Sequence, residues 1–72
     1  MDRLADYATQ GRKKVNLTQQ EFAEKTGVAH TVIRKIEQGK TNLNLGKVNQ
    51  VLAMFGHELG PVSIQEFTKV TD

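Results

Sequence analysis

Seventy-two residues with 38% apolar content bound the chain to one small domain with little core to spare. The lack of cysteine excludes disulfides and thiolate metal sites, and no apolar run approaches the ~18 residues of a membrane span. Net charge is only +2, but residues 10–50 hold eight basic side chains against three acidic ones while the two ends together carry −3. That distribution is either the footprint of a nucleic-acid binder or an ordinary solvated surface.

Residues 2–13 read as a first helix, with Leu4, Tyr7, Ala8 and Gly11 in an i, i+3, i+4, i+7 stripe. Asp2 and Asp6 near its start and Arg12, Lys13 and Lys14 at its end complement the helix dipole. The basic end is either a solvated turn or a phosphate contact through Lys13 or Lys14. Val15 and Leu17 are expected to pack beneath the next helix, over 18–26. There Thr18 and Glu21 have capping-box spacing, Phe22, Ala23 and Thr26 follow at helical intervals, and Gly27 suits a left-handed stop. A third helix over 29–38 turns Val32, Ile33 and Ile36 inward and His30, Thr31, Arg34 and Lys35 outward. Two short helices share one apolar face across a tight turn, with the small Ala23 where they would cross. This is a helix-turn-helix pattern.

Gln19, Glu21, Phe22 and Ala23, then Gly27-Val28, Ile33, Ile36-Glu37 and Gly39-Lys40, resemble the Cro/cI-type (Xre) helix-turn-helix family over roughly residues 4 to 56. The short tail, with its FGHELGPV segment, is similar to the HipB-type antitoxin branch. The resemblance implies an all-α, lambda-repressor-like bundle of four to five short helices with a short C-terminal extended segment. Residues 1–56 would bind DNA and residues 57–72 would serve dimerisation. Arg12 would pair with Glu37. Gln19 would touch the DNA backbone, and in the family this Gln often braces the first residue of the next helix. Base edges would be read by His30, Thr31 and Lys35, with Arg34 on the flank of the same face. Lys can donate to guanine, Thr can bond a base or touch a thymine methyl, and neutral His can donate or accept. Ala29 departs from the Ser or Thr often found there, a loss of roughly 0.5–2 kcal/mol unless His30 or Thr31 caps instead.

Gly39-Lys40-Thr41 has the end of a P-loop but not its beginning, since the required first Gly falls at Arg34 and no strand precedes it. Gly39 is instead expected to stop the third helix, with Lys40, Asn42 and Asn44 facing phosphates. Asn44 also suits the N-cap of a fourth helix over 45–55, where Leu45, Val48, Val51, Leu52 and Phe55 have core spacing. Beyond Gly56, the residues Leu59, Val62, Ile64 and Phe67 offer more apolar surface than a finished module needs. They are either a dimer contact or part of a frayed tail. Residues 57–62 suit an extended segment with Pro61 at an edge, and Ser63-x-x-Glu66 could cap a last helical turn.

No catalytic constellation emerges. Glu21 and Glu24 beside Lys25 are ordinary helix surface, and His30 has only His57 as a histidine partner for a metal. The N-terminus carries no signal pattern, so a soluble cytoplasmic protein is expected. The sequence thus leads to a cofactor-free, non-enzymatic homodimer that binds a palindromic duplex operator. It would repress its own operon as an antitoxin, with a cognate toxin as candidate partner. The alternatives are a stand-alone regulator of phage or mobile-element type and a protein-interaction scaffold.

Overall fold

The computed structural model describes residues 3–61 and 63. These form four α-helices and no strand: α1 (Arg3–Lys14), α2 (Gln19–Thr26), α3 (His30–Glu37) and α4 (Leu45–Leu52). A single 3₁₀ turn, Ala53–Phe55, extends α4. None of these helices is long and apolar enough to cross a membrane. The architecture is the lambda-repressor-like helical bundle.

Local chemistry sets most of the boundaries. Thr18 Oγ1 accepts the Glu21 N–H at 3.1 Å and Glu21 Oε1 accepts the Thr18 N–H at 2.8 Å, a complete capping box. At the other end of α2, Gly27 takes the left-handed conformation with φ 79° and returns its N–H to the Ala23 carbonyl. Gln50 of α4 donates to the Thr26 carbonyl at 2.8 Å, so the α2 terminus is bound to the last helix as well. Asn44 Oδ1 caps α4 by accepting the Lys47 N–H at 3.0 Å. The start of α3 differs. Ala29 has no side chain to offer, and no other side chain caps in its place, so the expected loss is uncompensated.

Phe22, Ile33, Ile36, Val48 and Val51 are fully buried and draw α2, α3 and α4 around one centre. Ala8 and Ala23, both buried, let the helices approach over small side chains. Phe55 closes the bundle. Its ring stacks on Phe22 (centroids 5.7 Å, planes 26° apart) and meets Tyr7 edge-on at the same distance. The ring occupies the space a Cβ on Gly11 would need, only 2.5 Å from it. Gly11 therefore belongs to the stripe of α1 because it admits an aromatic ring.

Two packing expectations are corrected. Val15 is 51% exposed, because the chain turns at Asn16 (φ 58°) and only Leu17 packs against the core. Leu45 is 67% exposed at the first residue of α4, while Leu43, just outside the helix, packs on the core. Leu59, expected at a dimer contact, keeps part of its surface exposed. It is half-buried on its own core, and its N–H donates to Asn49 Oδ1 at 2.7 Å. Residues 57–61 form neither helix nor strand. The other three expected dimer contacts, Val62, Ile64 and Phe67, and the Glu66 end of the proposed last turn lie outside the described residues.

Candidate nucleic-acid interface

The site starts from the amphipathicity of α3. Ile33 and Ile36 are each 1% exposed, which fixes the rotation of an eight-residue helix about its axis. His30, Thr31, Arg34 and Lys35 are consequently all exposed, as expected of them. Glu37, the one carboxylate of this helix, points elsewhere.

Arg12 holds that carboxylate with both arms of its fork. Nε donates to Glu37 Oε2 at 2.8 Å and Nη2 to Oε1 at 3.0 Å, while Nη1 donates to the Leu17 carbonyl at 2.8 Å. The two side chains are only 14% and 5% exposed. Gln19 Nε2 adds a bond to Glu37 Oε1 at 3.1 Å. One carboxylate thus joins the end of α1, the first turn of α2 and the last turn of α3. Burial alone would push Glu37 up; bonds from Arg12, Gln19 and Thr9, with the Arg12 charge, outweigh it and hold the carboxyl below its ordinary range. Arg12 is raised in turn, chiefly by its bond to Glu37.

The expected base-reading and phosphate residues divide into two groups. Thr31, Arg34, Lys35 and Lys40 line one shallow depression together with Gln38. Lys13, Lys14, Asn42 and Asn44 are exposed but lie outside it, as does His30. Asn44 engages its carbonyl oxygen as the α4 cap, which leaves its amide N–H groups outward. Gln19 braces the last residue of α3, whereas the family pattern suggested the first. Neither Thr9 nor Gln38 featured among the residues expected at the site. Thr9 had no local signal, since its partner is 28 positions away. Gln38 did have one, in the helical phase of α3.

What this surface can do chemically is donate. Three cations and two neutral polar groups border the depression, and no carboxylate does. A polyanion with hydrogen-bond acceptors is the matching ligand. Residues 10–67 match the sequence model of the helix-turn-helix family. No curated protein matches the chain.

Proposed function

From the premise that this chain belongs to the Cro/cI-type helix-turn-helix family of DNA-binding transcription regulators, we propose that it represses its own operon as the antitoxin of a toxin–antitoxin pair. Residues 1–56 bind the major groove, with α3 as the recognition helix. His30, Thr31 and Lys35 read base edges, and Arg34 flanks them. Lys13, Lys14, Gln19, Lys40, Asn42 and Asn44 meet backbone phosphates. Two copies form a two-fold dimer through Leu59, Val62, Ile64 and Phe67 of the tail and read a palindrome. Its half-sites lie about one helical turn apart, or a multiple of that.

The observation that carries this reading is the acid-free basic face of α3, with its single glutamate withdrawn into the Arg12 pair. That face complements the phosphate backbone of a duplex. The assignment to the HipB-type branch rests on the short tail and its FGHELGPV segment.

The test begins with duplexes selected from a random pool. Lys35→Ala should lose roughly 1–3 kcal/mol on the selected duplex and less on random DNA. Lys40→Ala should weaken binding to all duplexes alike and make the salt slope shallower by about one unit. Equal losses on both DNAs for Lys35→Ala would remove it as a base reader. Co-purification with a larger protein encoded beside it separates the antitoxin from a stand-alone regulator.

A further inference from the structure

A groove of about 400 Å³ lies between the first turns of α1, the end of α4 and residues 57–60. Leu4, Tyr7, Leu52 and Leu59 give it an apolar lining, and Arg3 and Glu58 add one charge of each sign. Tyr7 is its fixed wall. The ring is 40% exposed, yet Phe55 meets it edge-on at 5.7 Å and His57 at 5.2 Å. Its hydroxyl lies 2.8 Å from His57 Nδ1. An exposed aromatic side chain held at three contacts has little freedom left to lose when something covers it.

The chain leaves the bundle along this groove. Gly60 lines it, and residues 57–61 make neither a turn nor a bend. Pro61 also biases Gly60 toward extended backbone. Beyond Ser63 the sequence carries Ile64, Phe67 and Val70 at intervals of three, with Glu66 and Lys69 between them. Apolar residues with one charge of each sign match the lining of the groove. A straight run has passed the groove by Pro61, so Ile64 of the same chain would have to reverse to enter it. The same segment arriving from a second copy needs no reversal.

We infer that the groove receives Ile64 and Phe67 of a second copy, two copies exchanging these segments reciprocally about the two-fold axis. This rests on the dimer reading above and supplies its receptor, which includes Leu4 and Tyr7 of α1. A single self-complementary exchange satisfies both chains at once. Leu59 serves twice: its buried part packs on its own core, and its exposed part meets the partner segment.

The experiment measures mass by sedimentation at micromolar concentration for full-length chains, alone and mixed. Wild type should be a dimer. Leu4→Glu blocks the groove and keeps the segment, whereas Ile64→Glu with Phe67→Glu spoils the segment and keeps the groove. Each should lose the dimer when alone, with unchanged helix content by circular dichroism. Mixed one to one, they should form a heterodimer, because one intact groove and one intact segment remain. Where Leu4→Glu fails to fold, Gly60→Trp replaces it, since a Cβ at Gly60 meets open space. A dimer persisting in the segment variant alone, or in both groove variants, overturns the exchange and leaves the dimer reading intact. So does a mixture that stays monomeric while wild type is a dimer. A monomeric wild type overturns the dimer reading and the exchange together.

Discussion

Glu37 stands where three helices meet, and Arg12 depends on it. Without the carboxylate, Arg12 keeps the Leu17 carbonyl but loses both bonds of its fork, at a site where its side chain is 14% exposed. Breaking a buried pair from one side costs about 3–5 kcal/mol. Glu37→Ala should fall at the lower end, about 3 kcal/mol, because one acceptor remains. Urea unfolding of both single variants and the double variant measures it, and an absence of coupling would refute the pairing energy. Acid provides a second measure. The folded Glu37 binds its proton less readily than the unfolded chain, where a glutamate titrates near about 4.3. The pair's contribution is therefore full above that value and is lost as pH falls through the lower folded value. Wild type should lose stability across that acid window, and Glu37→Gln should show a flatter profile there from a lower starting point.

At the level of elements, α3 has less local support than α2 and α4, whose N-caps are bonded by side chains. It carries the proposed reading face, lacks a side-chain cap, and is held by Ile33, Ile36 and the Arg12–Glu37 pair. Ala29→Ser should therefore stabilise the protein by about 0.5–2 kcal/mol, read as a higher urea midpoint with an unchanged slope. No gain would mean that the exposed N–H groups of α3 are already well solvated. The other caps were legible because they are local: Thr18 with Glu21, Gly27, Asn44 and Gly56 each act within a few residues. The buried faces of α2 and α3 were legible through their period. What failed was periodicity at and beyond the helix ends. Leu45 has the same azimuth as Leu52 but begins its helix, and Val15 sits in a turn that no helical period governs. The partners of Asn49, Gln50 and Tyr7 are long-range, and nothing near them in the chain announces a bond. Within the interface, the Arg12–Glu37 pair came from family resemblance, while Gln38 went unnoticed although its phase was available.

For the molecule as a whole, the question is where the folding unit ends. A boundary at Gly56 follows from the left-handed turn there, but the chain beyond it is tied back at three points. Leu59 packs on the core, its N–H bonds Asn49 of α4, and His57 reaches α1. His57 Nδ1 lies 2.7 Å from the Phe55 carbonyl oxygen and 2.8 Å from Tyr7 Oη. Fully burying a leucine is worth about 1.5–3 kcal/mol and a net hydrogen bond about 1 kcal/mol. Leu59 is only half-buried, so a chain ending at Gly56 should lose roughly 2–3 kcal/mol. In a 72-residue domain that is a large share of the total. A chain ending at Ser63 keeps all three ties and should unfold at nearly the wild-type urea midpoint. The pair of truncations separates two roles that a single deletion of 57–72 would confuse. If Ile64 and Phe67 hold the proposed dimer together, the chain ending at Ser63 should sediment as a monomer at micromolar concentration while retaining its helix content. A dimer persisting in that chain would place the interface on the described helices, and equal stability of both truncations would show that the ties beyond Gly56 add nothing to the fold.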